Sequence, residues 1–216
     1  MNFSIYFNTD EKDLLVTSNF EEFQKRMDLG IFPKSTYIQT DIDGLSKLDF
    51  QIITLYNVKT LDFQYFKNIF LEYSFQIVAI HNSTLDFEDM IIITKHLVIG
   101  EKVKVNLLER NFSGLCEITF LSVKTFKGII QEPFINVKKL ILWYENSRSN
   151  DILKHFPNLI EFQSFNGSTV DLSLSENRKL KILHLHNFPK LESIDIKPDD
   201  LEELIVYGCK KLKFVL

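Results

Sequence analysis

Flexible linkers, membrane spans and nucleotide-binding loops leave marks that this sequence does not carry. Glycine and proline are scarce, 7 and 5 in 216 residues, so no Gly- or Pro-rich linker divides the chain and no low-complexity tract interrupts it. The longest aliphatic runs, such as Met90–Ile93, fall far short of the roughly 18 apolar residues that a spanning helix needs. Residues Met1–Asp10 lack a basic stretch followed by an apolar one, which argues against a secretory signal. The glycine-rich loops that cradle phosphates, and the G-x-S-x-G elbow that exposes a reactive serine, are missing.

An excess of one charge is missing too. Lys and Arg number 25 against 29 Asp and Glu, a formal charge of −4, and no basic stripe of the kind that binds nucleic acid stands out. The cluster Lys210, Lys211 and Lys213 is too short for such a patch and reads as a solvated turn. Cysteine is limited to Cys116 and Cys209, far apart and without metal-ligand spacing. They read as reduced thiols of a cytoplasmic protein, with a single disulfide left open. These absences predict a cytoplasmic chain, complete at its N-terminus, that binds neither membrane nor nucleic acid.

What is present is phenylalanine, 20 residues in all, and a repeat. Leu180, Leu183, Leu185, Phe188 and Leu191 recur 21 residues later as Leu201, Leu204, Val206, Cys209 and Leu212. Carried backwards, the template gives further pairs, apolar throughout except for Ser164: Phe162/Ser164, Leu140/Leu142, Ile118/Phe120, Leu97/Ile99, Val78/Ile80 and Ile53/Leu55. With Leu183/Leu185 and Leu204/Val206 these are eight copies, at steps of 25, 19, 21, 22, 22, 21 and 21 residues. A sheet protein could imitate one copy by chance but has no reason to hold this step over most of its length.

The pattern L-x-x-L-x-L-x-x-(N/C)-x-x-L resembles the leucine-rich repeat family, most closely over LEELIVYGCKKLKFV. The resemblance covers roughly residues 48–216 and implies an α/β solenoid, an irregular repeat stack with a parallel β-sheet on its concave side. It further implies binding of another macromolecule, not catalysis, and no cofactor. The family's Asn/Cys position holds Val58, Ser83, Lys102, Val123, Glu145, Gly167, Phe188 and Cys209. Irregular turns are expected there, with Asn57, Asn82 and Asn187, one residue earlier, taking over part of the turn-forming work. Ser149–Phe156 is the best convex helix.

Residues 1–47 do not fit the template and are expected to form an α/β cap. Asn2–Phe7 alternates like a strand, and Ser18 with Glu21 reads as a capping box opening a helix through about Met27. The last repeat has no polar cap, which leaves it open to self-association.

Side chains alternate along a strand, so residues flanking each inward pair belong to the concave face. One row there reads Tyr56, His81, Gly100, Leu121, Trp143, Phe165, His186 and Tyr207, with rings in six of eight places. Another carries His96, Glu117, Lys139, Glu161 and Glu203. Rings edged by a few charges match the composition of protein interfaces, although cross-strand ring pairs also simply stabilise sheets. The expected partner-binding residues are Tyr56, His81, Lys139, Trp143, Glu161, Phe165, His184, His186, Glu203 and Tyr207. The leading expectation is a module that binds and neutralises one specific protein, as a toxin-immunity protein does. Alternatives are a substrate receptor in a larger complex, or an enzyme or metal site at His184-x-His186, which puts two imidazoles on one face of a strand.

Overall fold

The computed structural model describes residues 3–30, 32, 36–41, 43–87, 90–145, 148–196 and 200–213. The chain opens with strands β1 (Ser4–Asn8) and β2 (Asp13–Thr17), helix α1 (Phe20–Asp28) and strand β3 (Ile38–Thr40). Then come β4 (Ile52–Tyr56), α2 (Thr60–Phe66), α3 (Asn68–Glu72), β5 (Phe75–His81), β6 (Thr84–Leu85), β7 (Ile92–Ile99), β8 (Lys104–Leu107) and β9 (Phe112–Ser113). The rest comprises β10 (Glu117–Phe120), β11 (Ile129–Ile130), β12 (Lys139–Trp143), α4 (Ser149–Leu153), β13 (Glu161–Phe165), β14 (Asp171–Leu172), β15 (Ile182–His186), β16 (Ser193–Ile194) and β17 (Glu203–Tyr207).

The fold is α/β, dominated by one large and mostly parallel sheet that is not closed. Strands β2, β4, β5, β7, β10, β12, β13, β15 and β17 lie side by side in chain order, each parallel to the next. At the N-terminal end β1 pairs antiparallel with β2, and β3 with β1. A parallel pair needs a return path across the sheet. Here the returns carry short strands of their own: β6, β8 and β11 form a three-stranded sheet, and β14 pairs β16. No helix among the described residues is long and apolar enough to cross a membrane.

The register turns the eight sequence pairs into two continuous inward rows. Ile53, Val78, Leu97, Ile118, Leu140, Phe162, Leu183 and Leu204 align across the sheet, as do Leu55 to Val206 two residues on. All are fully buried from Ile53 to Leu185, the polar Ser164 included, whereas Leu204 and Val206 are only half-buried. The repeat reading missed a ninth pair, Leu14 and Val16 of β2, which align with Ile53 and Leu55 and are also buried.

Behind the inward rows runs a column of rings. Phe63, Phe87, Phe112, Phe134 and Phe156 come one from each of the five successive return segments between β4 and β13, with neighbouring centroids 5.6, 5.6, 6.3 and 5.6 Å apart. Rings at these separations add roughly 0.5–1.5 kcal/mol per pair to the burial of their area. Much of the phenylalanine excess therefore serves the core. Ser149–Phe156 is helical only as α4, and its Ile152, Leu153 and Phe156 enter that core.

Six of the turns after the strands of the large sheet share one backbone state. Asn57, Asn82, Tyr144, Asn166, Asn187 and Gly208, each directly after a strand, have φ between +47° and +72°. Asparagine and glycine are the residues that tolerate this left-handed region best. The side chains link as well, with Asn82 Nδ2 donating to Asn57 Oδ1 at 3.3 Å and Asn187 Nδ2 to Asn166 Oδ1 at 3.1 Å. Asn57, Asn82 and Asn187 thus do the turn work expected of them.

Two expectations for the first residues change. The helix N-cap is Asn19, whose side chain accepts from the Glu22 N–H at 3.0 Å; Ser18 instead donates to the Asn57 carbonyl. Both neighbours are good caps, and the bond across to Asn57 takes Ser18 away. The first strand begins at Ser4, and Asn2 lies outside the described residues, as does Leu216 at the far end.

Candidate binding surface

The face opposite the inward pairs holds three rows of side chains, set by the same register. Its N-terminal third is covered by the chain itself. Helix α1 turns Phe23 and Met27 onto Leu15 and Tyr56, the outward residues of β2 and β4, with Tyr6, Phe20, Phe32 and Tyr37 around them. Tyr56 is fully buried, donates its hydroxyl to the Glu22 carboxylate at 3.0 Å and meets Phe23 and Phe32 edge-on. His81 is 8 % exposed, with Phe32 edge-on at 5.0 Å. Tyr56, expected as a partner contact, is thus a core residue beneath α1, and His81 is buried beside it rather than standing open on the face. The sequence showed an amphipathic helix but not which face of the sheet it would cover.

Burial controls the titration of this region. It pushes His81 down to about 4, helped by the charge of Arg26, so the imidazole is neutral at pH 7. It pushes Asp13 up to about 6, against hydrogen bonds received from Tyr37 Oη at 2.6 Å and Thr54 Oγ1 at 3.0 Å. Asp13, His81, Phe23, Phe32, Tyr37 and Thr54 line a cavity of about 180 Å³.

Beyond the cap the ring row is open. Trp143 and Phe165 stack at 4.2 Å and 14°, Phe165 and His186 at 5.0 Å and 19°, and His186 leans on Tyr207 at 6.3 Å and 45°. The first three are half-buried and Tyr207 is 68 % exposed. These residues sit at matched register positions of β12, β13, β15 and β17. Four rings therefore form one strip across about 14 Å of sheet, at roughly 4.8 Å per strand.

A charged row runs beside the strip. Lys139 Nζ lies 3.3 Å from Glu161 Oε1 and 3.9 Å from Glu117 Oε1. Glu161 also accepts from Gln163, and His96 Nε2 lies 2.9 Å from Thr119 Oγ1 and 3.6 Å from Glu117. Desolvation holds His96 below its usual range despite Glu117. Farther along, His184 Nε2 is 2.8 Å from Glu203 Oε1. Lys139, Glu161, His184 and Glu203 are thus all on the open face, in pairs that hold one another in place. The His184-x-His186 motif does not converge on a metal set. His184 is engaged by Glu203, His186 by rings, and no group of three His, Cys, Asp or Glu side chains meets among the described residues.

Two features escaped sequence reading. A cleft of about 450 Å³ lies where the cap meets the open strip, lined by Arg26, Phe32, His81, Glu101, Leu121, Trp143 and Tyr144. In the turn after β12, Glu145 is 3 % exposed, with the backbone of Thr169 against its carboxyl group. Burial pushes it up to about 8, so it holds a proton at neutral pH. No family model, curated protein or solved structure matches this chain.

Proposed function

We propose that the chain is a leucine-rich-repeat-like solenoid that acts as a non-catalytic protein-binding module. Its partner contact is the strip Trp143, Phe165, His186 and Tyr207, with Lys139, Glu161, His184 and Glu203 along its side. The observation that supports this best is the strip itself: stacked rings on consecutive strands, open to solvent beside a cap that covers equivalent positions. Large rings offer contact area at small entropic cost, and a few such residues dominate many interfaces. The flanking charges are already paired, so they favour orientation and association rate over affinity. Binding and neutralising one specific protein, in the manner of a toxin-immunity protein, is the form of the function we favour.

The test is site-directed photo-crosslinking in the native host, with a photoreactive phenylalanine at position 165 or, on another part of the surface, at exposed Leu61 of α2. A single defined adduct from position 165, absent from position 61 and lost in Tyr207→Ala, is the expected result. Adducts from position 61 and none from 165 would mean that the strip is sheet packing only.

A further inference from the structure

Building on the protein-binding reading, we propose that the cleft between cap and strip is an anchor pocket for one tyrosine side chain of the partner. The walls are Phe32, Leu121 and Trp143, and Arg26 and Glu101 stand at the side, ion-paired with each other at 3.4 Å. Its volume of about 450 Å³ falls within the usual range of small-molecule sites, which are mostly apolar with a few polar groups to fix orientation.

Two independent observations choose the occupant. The first is what already sits in the adjoining places. Phe32 of the cap stands edge-on to Tyr56 at 5.9 Å and to His81 at 5.0 Å, and Phe23 meets Tyr56 edge-on at 5.4 Å. The ring row thus receives aromatic side chains edge-on, and the cleft is the next place along the same row. The second is His81. Its ring is more than nine-tenths buried and lines the cleft, and neither ring nitrogen has a hydrogen-bond partner among the described residues. It lies over Gly100, where an added Cβ would come within 2.0 Å of Nδ1. A neutral imidazole offers one donor and one acceptor. A phenol fits that need, since its hydroxyl can give or take the bond while its ring fills the apolar walls. Arg26 and Glu101 neutralise each other, so the cleft selects neither sign of charge.

The chain has a single tryptophan, and it lines the cleft, so its indole N–H gives one unambiguous NMR signal. The experiment titrates the full chain with p-cresol, the side chain of tyrosine, and separately with toluene, and follows that signal. Saturable shifts are expected with both, with p-cresol bound about fivefold more tightly, the effect of one neutral hydrogen bond. His81→Phe should reduce that preference to about onefold, and Leu121→Arg should abolish both responses while the melting curve stays cooperative. Equal binding of the two probes would overturn the role of His81. An unmoved Trp143 signal would overturn the pocket, while the crosslinking test of the strip would still stand or fall separately.

Discussion

Asp13→Asn should alter the pH dependence of stability in a direction fixed by where the two buried groups sit. In the folded chain Asp13 titrates at about 6, against 3.8 without burial. Below about pH 4 the carboxyl is protonated whether the chain is folded or not, and its burial costs nothing extra. As the pH rises towards 6 the unfolded chain releases the proton and the folded chain keeps it, so stability falls. Two pH units at 1.36 kcal/mol each come to about 3 kcal/mol lost by pH 7. His81 acts in the opposite sense. Its folded value of about 4 lies below the usual 6.5, so its contribution is whole above 6.5 and is lost as the pH falls towards 4, again by about 3 kcal/mol. Glu11 faces Asp13 and Arg26 faces His81, each reinforcing its neighbour's shift. Between about pH 4 and 6 the two slopes nearly cancel. The assay is urea unfolding of wild type and variants at a series of pH values. The difference between Asp13→Asn and wild type should grow in the variant's favour by about 3 kcal/mol from pH 4 to 7. His81→Phe should show the reverse trend. Parallel pH curves for Asp13→Asn and wild type would refute the claim that this carboxylate is buried at a cost.

Leu183→Ala should cost about 3–5 kcal/mol, because its site is closed on all sides. Leu204→Ala, half-exposed in β17, should cost about 1–2 kcal/mol, and equal losses in chemical denaturation would contradict the inward rows. Gly100→Ala should destabilise by about 1–3 kcal/mol, since the new Cβ would lie on the His81 ring; an unchanged melting temperature would misplace that ring. Tyr144 holds φ at +49°, a conformation that costs a residue with a Cβ roughly 1–2 kcal/mol. Tyr144→Asn should therefore raise the unfolding midpoint.

The repeat was legible because two constraints are printed in the same residues. A strand with one buried face must alternate, and neighbouring strands must keep register. Leu183 and Leu204 satisfy both at a step of 21, and their strands are indeed adjacent. Leu14 and Val16 satisfy only the first, since α1 and β3 stretch the interval to Ile53, and so their pair went unread. The open half of the surface could be read from the same alternation, which put Trp143, Phe165, His186 and Tyr207 on one face. Its covered half could not. The apolar side of α1 shows that the helix packs, but its landing place on Tyr56 and His81 depends on a long-range fit that no local pattern encodes. The cleft at that junction was invisible for the same reason.

The parallel strands pair in the order in which the chain makes them, and this bears on how the protein opens. In the large sheet β4, β5, β7, β10, β12, β13 and β15 are each held on both sides by strands near them in sequence, while β17 is paired on one side among the described residues. Local fluctuations should then begin there and advance one strand at a time, without requiring the cap to let go. Amide deuterium uptake would run as a gradient, fastest in Glu203–Tyr207 and slowest around β4 and β5. Tyr207, at the exposed end of the aromatic strip, would sit on the strand that opens most often. A partner that grips it would slow exchange far along the sheet, so distant amides would report a contact they do not touch.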